Sequence, residues 1–341
     1  MEHIEYVRTV ARSLLVKGKG ILAADESTKT MDTRLAAVGA MATPDMRREY
    51  RELLFTAPGI EEYLSGVILY DETIRSGTAD DGVPFADLLI ARGIIPGIKV
   101  DRGTVPLDGF PDEVVTEGLD GLAARMSEYY GMGARFTKWR AVITIGENLP
   151  TDQCIRMNAA MLARFASLSQ GAGMVPIVEP EVMLHGDHDI ARAQDVTTKT
   201  LETLFETLTE YRVDLAGLIL KSSMVLAGDG SKTQSTPEEV ADATLRTFAA
   251  AVPKEVPGVV LLSGGQTPRR ATENLQAMAH HGAQPWQITF SYSRALEEPV
   301  LTAWRGDTAA NKDAAQAALL HRLMLNAKAQ TGDYEPALED G

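Results

Sequence analysis

Eight apolar runs of strand length recur along the chain, and segments with helical periodicity separate them. The runs end near positions 25, 71, 100, 139, 179, 221, 263 and 291, at intervals of roughly 28 to 46 residues. Each interval is long enough for a right-handed helical crossover between parallel strands. The sequence therefore predicts an α/β fold, a (β/α)₈ TIM barrel in one domain over residues 1–341, with extra helices at the N-terminus.

The main alternative fold is an open, doubly wound sheet. A dinucleotide-binding sheet of that kind carries Gly-x-Gly-x-x-Gly after its first strand, and no such motif follows the run at 20–24. The last residues, 330–341, are acidic and contain Gly and Pro. We expect them to form a flexible tail.

Charged and polar residues stand where the predicted strands end. In a TIM barrel these carboxyl ends face one mouth, where such enzymes build their active sites. The residues at these ends are Asp25, Lys99, Lys138, Glu179, Lys221, Ser263 and Arg294. A single charged residue at a strand end is as often solvated or paired as functional, but several that converge on one opening indicate an acid/base and nucleophile set.

Lys221 is the candidate nucleophile of this set. It follows the apolar run 218–220, which does not alternate with polar residues and therefore predicts a strand buried on both faces. Burial disfavours an ammonium group, and so do cationic neighbours such as Lys99 and Lys138. A neutral amine at this place can attack a carbonyl group to form a Schiff base. The alternative is that Lys221 lies along the rim with its ammonium group in water.

Two loops favour a phosphorylated substrate. Ser263-Gly264-Gly265 follows the seventh predicted strand, and 291–294 follow the eighth. Backbone N–H groups of these two loops commonly bind phosphate in TIM barrels, and Arg294 adds a positive charge. A basic mouth on an acidic chain also indicates that an anionic substrate is concentrated there.

Composition argues against several classes of partner. The net charge of −14 disfavours nucleic acid and anionic membrane surfaces, and no run approaches the ~20 apolar residues of a membrane span. Cys154 is the only cysteine, so an intrachain disulfide is excluded and a cytoplasmic location is expected. Residues 1–15 are charged and amphipathic and do not match a signal peptide.

Six motifs between about residues 14 and 330 together resemble those of class I fructose-bisphosphate aldolase. They are Leu22-Ala23-Ala24-Asp25-Glu26-Ser27, Gly97-Ile98-Lys99-Val100-Asp101, Lys138-Trp139-Arg140, Pro176-Ile177-Val178-Glu179-Pro180-Glu181, Leu262-Ser263-Gly264-Gly265-Gln266 and Ser291-Tyr292-Ser293-Arg294-Ala295-Leu296. The resemblance implies a glycolytic lyase without metal or other cofactor, which reversibly cleaves fructose 1,6-bisphosphate to dihydroxyacetone phosphate and glyceraldehyde 3-phosphate. It also implies a homo-oligomer, a tetramer in the family.

The same resemblance implies a role for each site residue. Lys221 corresponds to the Schiff-base lysine, and Lys138 to the lysine that assists its formation. Glu179 corresponds to the acid/base of carbinolamine dehydration and C–C cleavage, Asp25 to a carboxylate at the substrate hydroxyl, and Glu181 belongs to the same catalytic set. The residues implied at the ketose C1 phosphate are Ser263, Gly264, Gly265, Ser291 and Arg294. Those implied near the C6 phosphate are Ser27, Arg34, Lys99 and Arg140.

The chain departs from the family pattern in three places. Ser222-Ser223 replaces the more usual Pro-Asn after the lysine, and Ser293 replaces a glycine. These two changes bear on the geometry of the Lys221 loop and on one backbone contact to phosphate. The chain ends in Glu339-Asp340-Gly341 and lacks the C-terminal tyrosine of the animal members. A proton transfer that depends on the tail is therefore not part of the expected mechanism.

Other functions compete with this one. A transaldolase-like enzyme, or an aldolase for singly phosphorylated sugars, would use the same lysine chemistry. A noncatalytic sugar-phosphate-binding barrel would need only the phosphate loops, and the presence of Lys221 with Glu179 argues against it. A metal-dependent aldolase is suggested only by His185-x-x-His188-Asp189. That segment is a predicted polar loop, and a catalytic zinc site needs three well-placed ligands.

Overall fold

The protein is described from a computed structural model, which covers residues 2–340. Its strands are β1 (Gly20–Ala24), β2 (Leu64–Leu69), β3 (Ile95–Lys99), β4 (Thr104–Pro106), β5 (Val114–Thr116), β6 (Phe136–Ile143), β7 (Val175–Val182), β8 (Ile219–Ser222), β9 (Gly258–Leu261) and β10 (Gln287–Tyr292). Its α-helices are α1 (Glu2–Leu14), α2 (Thr28–Ala37), α3 (Pro44–Phe55), α4 (Asp71–Ile74), α5 (Phe85–Ala91), α6 (Leu122–Gly131), α7 (Asp152–Gly171), α8 (Ile190–Glu210), α9 (Pro237–Ala251), α10 (Pro268–His280), α11 (Arg294–Trp304) and α12 (Thr308–Thr331).

Eight of the strands close into a parallel barrel. Their order around it is β1-β10-β9-β8-β7-β6-β3-β2, so each barrel strand pairs with the strands before and after it along the chain. The register between β6 and β7 sets Arg140 opposite Glu179. All eight predicted strands are present, and the prediction of a TIM barrel is confirmed. The extra N-terminal helices are α1, α2 and α3.

The barrel interior depends on glycines that make room for large side chains. A Cβ atom at Gly97 would lie 2.2 Å from the ring of Phe136, so the ring occupies the space above that glycine. At the N-terminal mouth, Leu14 of α1 covers Gly66, where a Cβ atom would lie 2.7 Å from its Cδ2. Helix α1 packs with the residues that fill the barrel and closes this end. The opposite mouth, at the carboxyl ends of the strands, remains for the functional site.

Several helices begin at threonines, a residue type that often caps a helix N-terminus. Thr43, Thr151 and Thr236 each cap a helix by accepting a hydrogen bond from a backbone N–H in its first turn. Thr236 forms a full capping box with Glu239. None of the helices within residues 2–340 is both long and apolar enough to span a membrane.

The structure contains further elements that the local sequence does not indicate, among them a hairpin and a helix. Residues Thr104–Pro106 and Val114–Thr116 form an antiparallel hairpin, although Gly103, Pro106, Gly109 and Pro111 in this stretch are residues typical of a loop. Helix α11 follows the last barrel strand directly and contains Pro299, a residue that usually marks a helix end. At the C-terminus, Tyr334 is buried and Arg322 of α12 pairs with Glu339. The flexibility of the tail stays a prediction.

Candidate active site

The open mouth of the barrel contains a cavity of about 430 Å³. All 14 site residues that the sequence predicts line this cavity: Asp25, Ser27, Arg34, Lys99, Lys138, Arg140, Glu179, Glu181, Lys221, Ser263, Gly264, Gly265, Ser291 and Arg294. They come from the ends of seven different barrel strands or from the loops and helices that follow them. The fold therefore brings together residues that lie up to 269 positions apart in the chain.

A buried row of alternating charges lies at the bottom of the cavity. The Oε1 atom of Glu179 is 3.2 Å from Nζ of Lys221, and its Oε2 atom is 3.0 Å from Nζ of Lys138. The same Nζ of Lys138 is 2.6 Å from Oδ2 of Asp25. All four side chains are buried. Glu179 thus connects the two lysines, and Lys138 connects the two carboxylates.

The charge states of this row follow from burial and from its ion pairs. Burial opposes the charge of Lys138, but Asp25 and Glu179 raise its pKa above the ordinary value. Burial also opposes the charge of Glu179, yet Lys138, Lys221 and Arg140 hold its pKa below the ordinary value. Lys138 is therefore an ammonium group and Glu179 a carboxylate at neutral pH.

The surroundings of Lys221 differ from the expectation that cationic neighbours would act on it directly. Between Lys221 and Lys138 lies the carboxylate of Glu179. Lys99 is also paired, because Asp101 lies against its ammonium group. Lys138 contacts two carboxylates, whereas Lys221 contacts one, which it shares.

Hydrogen bonds on both sides hold the unusual segment after Lys221. The hydroxyl group of Ser223 donates to the carbonyl of Val182 at the end of β7, at 2.9 Å. The carbonyl of Ser222 accepts from the backbone N–H of Leu262 after β9, at 3.0 Å. The serines that replace the more usual Pro-Asn therefore tie the end of β8 to both neighbouring strands.

The loops after β9 and β10 provide donors suited to an anion. Gly264 and Gly265 both have positive φ, 47° and 87°, a conformation that side-chain-bearing residues rarely adopt and that arranges backbone N–H groups around a concavity. Ser263 is buried beside them. The hydroxyl group of Ser291 is buried in the cavity wall and has no hydrogen-bond partner among residues 2–340. Arg294 is exposed at the first position of α11.

A second basic group lies across the cavity, at the ends of β3 and β6. Lys99 pairs with Asp101, and Arg140 pairs with Glu181. Asp101 also accepts hydrogen bonds from the backbone N–H groups of Gly103 and Arg140, at 3.1 and 3.2 Å. It thereby fixes Lys99 and the base of the β4–β5 hairpin at once. Ser27 lines the same cavity as the N-cap of α2.

The side chain of Arg34 contacts residues that follow β1 and β10. The resemblance sets it near the C6 phosphate, together with Lys99 and Arg140. In the structure, Nη1 of Arg34 donates to the hydroxyl group of Ser293 at 3.0 Å and pairs with Glu26. Its guanidinium therefore lies beside the end of β10, next to the loops with the anion-binding donors.

Sequence reasoning missed a buried cluster behind Arg34. Glu26 pairs with both Arg34 and Arg51, and Glu297 lies 3.4 Å from Arg51 and 3.7 Å from Arg34. Glu26 follows Asp25 at the end of β1, so its position at a strand end was the one available signal. Arg51 and Glu297 are separated by 246 residues, and no local pattern relates them.

The segment considered for metal binding forms a different set of contacts. Nδ1 of His185 lies 3.2 Å from Oδ2 of Asp229. The nearby His188 is half-buried, and burial lowers its pKa. Within residues 2–340, no group of three or more His, Cys, Asp or Glu side chains could hold a metal ion.

Comparison with known proteins identifies the family. Residues 6–341 match the family model for class I fructose-bisphosphate aldolase. The chain belongs to the class I fructose-bisphosphate aldolase family. A probable fructose-bisphosphate aldolase class 1 of Xanthomonas campestris pv. campestris is 50% identical over 332 residues, which are 97% of this chain and 99% of that protein. A fructose-bisphosphate aldolase of Drosophila melanogaster is 50% identical over 330 residues, 96% of this chain and 91% of that protein.

A solved structure agrees with the family and the fold. It contains fructose-bisphosphate aldolase from Plasmodium falciparum in complex with TRAP and a small molecule inhibitor. The match has a TM-score of 0.96 at 43% identity and covers 98% of this chain and 96% of that one. As a member of this family, the chain is a metal-independent lyase that acts on a phosphorylated sugar, fructose 1,6-bisphosphate, through a lysine Schiff base in glycolysis. The predicted family, fold and enzyme class are confirmed.

Proposed function

We propose that Lys221 is the lysine that forms the Schiff base. Two lysines in the cavity, Lys138 and Lys221, are close enough to Glu179 to exchange a proton with it, and their ion pairs distinguish them. Lys138 is fixed as a cation by two buried carboxylates, at 2.6 and 3.0 Å. Within residues 2–340, Glu179 is the one carboxylate in contact with Lys221, so transfer of a single proton to Glu179 leaves Lys221 as a free amine beside its base. This difference in pairing is the observation that carries the assignment.

Glu179 serves as the acid and base for the steps at Lys221. One proton passes from the Lys221 ammonium group to Glu179, and the neutral amine attacks the C2 ketone of fructose 1,6-bisphosphate. A proton then moves from nitrogen to oxygen and gives a neutral carbinolamine, so Glu179 has lost one of its two neighbouring ammonium groups. Its proton affinity rises as a result. Glu179 therefore keeps the proton that it received from Lys221 and passes it to the departing hydroxyl group, which leaves as water.

Asp25 and Lys138 act on the carbon–carbon bond. The iminium group at C2 withdraws electrons from the C3–C4 bond, and a carboxylate takes the proton of the C4 hydroxyl group as glyceraldehyde 3-phosphate departs. We assign this step to Asp25, which lies on the far side of Lys138 from Glu179. Protonation of the enamine at C3 and hydrolysis then release dihydroxyacetone phosphate and restore Lys221.

The order of strands supports a proposal for where the two ends of the substrate bind. Lys221 ends β8, which pairs with β9, and β9 pairs with β10. The C1 phosphate is one carbon from the attacked C2 atom, so it belongs at the adjacent loops, where Ser263, Gly264, Gly265, Ser291 and Arg294 offer donors. The C6 phosphate is four carbons away and belongs across the cavity, at Ser27, Lys99 and Arg140, while Glu181 orients the guanidinium of Arg140.

Borohydride trapping tests the nucleophile. Reduction in the presence of dihydroxyacetone phosphate should attach the three-carbon unit to one lysine and inactivate the enzyme, and peptide mapping should find it on Lys221. Lys221→Arg should fold, remain unlabelled and lack turnover. Lys99→Arg is the matched control, since it changes another cavity lysine in the same way and should still be labelled on Lys221. An adduct on Lys138, or turnover by Lys221→Arg, would overturn the assignment.

We also propose that the protein is a cytoplasmic homo-oligomer, a tetramer. The proposal rests on the family resemblance and on the single, buried Cys154, which suits a reducing compartment. Light scattering coupled to size-exclusion chromatography tests the assembly, because the subunit mass is 36.8 kDa. A mass of one subunit at micromolar concentration would contradict it.

A further inference from the structure

We propose that Ser293 is a positioning residue that holds the guanidinium of Arg34 against the C1 phosphate. The inference rests on the proposed function of the loops after β9 and β10. It assigns Arg34 to the phosphate next to the Schiff base, and it gives a task to a serine that stands where the family more usually has a glycine.

Three side chains close a ring of contacts beside the cavity. The hydroxyl group of Ser293 donates to Oε1 of Glu26 at 2.8 Å and accepts from Nη1 of Arg34 at 3.0 Å. Nη1 of Arg34 also donates to Oε1 of Glu26. A hydroxyl group can donate to a carboxylate and accept from a guanidinium at the same time, which neither alanine nor glycine can do.

The ring determines which edge of Arg34 faces a ligand. Among residues 2–340, the hydrogen bonds of the Arg34 side chain all involve Nη1. The donors on Nε and Nη2 therefore remain, and these two nitrogens form one side of the planar guanidinium. Two parallel N–H donors of this kind match two oxygens of a phosphate group. Arg34 lines the cavity, and its side chain is 21% exposed, so a ligand can reach this edge.

The backbone holds Ser293 in a fixed place relative to the other phosphate donors. Its carbonyl accepts hydrogen bonds from the N–H groups of Leu296 and Glu297, at 3.0 and 2.9 Å, in the first turn of α11. Its φ of −108° is negative, so the position does not require glycine. It lies two positions after Ser291 and directly before Arg294. The ring therefore connects Arg34 of α2 to the segment that carries the other donors.

The two products of cleavage distinguish a role of Ser293 at the C1 phosphate from a general effect on the structure. Dihydroxyacetone phosphate carries the C1 phosphate and glyceraldehyde 3-phosphate the C6 phosphate. For Ser293→Ala, and equally for Ser293→Gly, we expect the concentration of dihydroxyacetone phosphate that half-saturates borohydride trapping to rise about three- to tenfold. The inhibition constant of glyceraldehyde 3-phosphate should stay within about twofold. KM for fructose 1,6-bisphosphate should rise with kcat nearly unchanged, and Ser293→Thr should restore both.

A double-mutant cycle tests that Ser293 acts through Arg34. In an Arg34→Ala background, the further change Ser293→Ala should cause no additional loss for dihydroxyacetone phosphate. An equal additional loss, a selective effect on glyceraldehyde 3-phosphate, or wild-type saturation by Ser293→Ala would overturn the proposal. Failure of the proposed function looks different, because wild-type enzyme would then give no adduct on Lys221 at all.

Discussion

Replacing Glu297 with glutamine should stabilise the protein increasingly as the pH rises. Glu297 is completely buried in α11. Burial and the charge of Glu26 raise the pKa of its carboxyl group well above the ordinary 4.5. Arg51 and Arg34 oppose that shift from 3.4 and 3.7 Å, but both guanidinium groups lie closer to Glu26. Glu297 is thus the member of the cluster that keeps a proton.

The sign and size of the effect follow from proton counting. Between the ordinary carboxyl pKa of 4.5 and the raised value, the folded protein holds one proton on Glu297 that the unfolded chain has lost. The free energy of unfolding therefore falls with rising pH, by about 1.4 kcal/mol per pH unit for this one group. Glutamine has no such proton and escapes this loss. For each pH unit within this range, the stability of Glu297→Gln relative to wild type should therefore grow by about 1.4 kcal/mol.

Thermal unfolding of the two proteins in parallel measures the difference. For a chain of 341 residues the unfolding entropy is about 0.7 kcal/mol/K, so the midpoint of the variant should gain about 2 °C on wild type for each pH unit above 4.5, as long as wild-type Glu297 stays protonated. Glu298→Gln is the matched control, because it makes the same change at the next, exposed position of α11. A difference between Glu297→Gln and wild type that is constant with pH would refute the reasoning, since it would mean that Glu297 is ionised in the fold.

Other changes test the site and the barrel. Arg294→Ala should lower kcat/KM for fructose 1,6-bisphosphate roughly ten- to hundredfold by removing a charge-assisted phosphate contact, and unchanged kinetics would locate the phosphate elsewhere. Lys138→Met leaves Asp25 and Glu179 buried without the cation they share, so urea unfolding should show a loss of about 3–5 kcal/mol, and wild-type stability would argue against the ion pairs. Gly97→Ala adds a methyl group 2.2 Å from the ring of Phe136 and should cost about 1–3 kcal/mol in the same assay, with partial recovery when Phe136→Leu is added.

Local patterns explain why the sequence predicts the barrel and the composition of the cavity. A buried parallel strand needs an unbroken apolar run, and the residue at its carboxyl end necessarily faces the mouth. The four positions 218–221 contain both an apolar run, which indicates the buried strand, and Lys221, the residue at its carboxyl end. Helix starts such as Thr236-Pro237 are equally local. These features can be predicted from the sequence because they depend on residues that are neighbours in the chain.

Contacts between distant segments could not be predicted in this way. The bond between Arg34 and Ser293 joins residues 259 positions apart, and Arg51 and Glu297 are 246 positions apart. Each of these polar side chains could equally be exposed to solvent and hydrogen-bonded to water, so no single stretch of sequence indicates which residues pair. Helix α11 was missed for a related reason: Pro299 contradicts a helix locally, while packing of α11 against α12 supports it.

The environment of Lys221 could not be predicted from the number of charged residues at the strand ends, because it depends on how those charges are arranged in space. Three lysines at one mouth suggest mutual repulsion, but carboxylates alternate with them, and Glu179 lies between Lys138 and Lys221. Repulsion between ammonium groups is therefore not the source of a neutral amine in the proposed mechanism. A proton must instead pass from Lys221 to a carboxylate whose proton affinity depends on the state of Lys221 itself. Once the lysine nitrogen is neutral, only Lys138 stabilises the charged form of Glu179, so Glu179 keeps the proton it has received, and dehydration of the carbinolamine requires this proton.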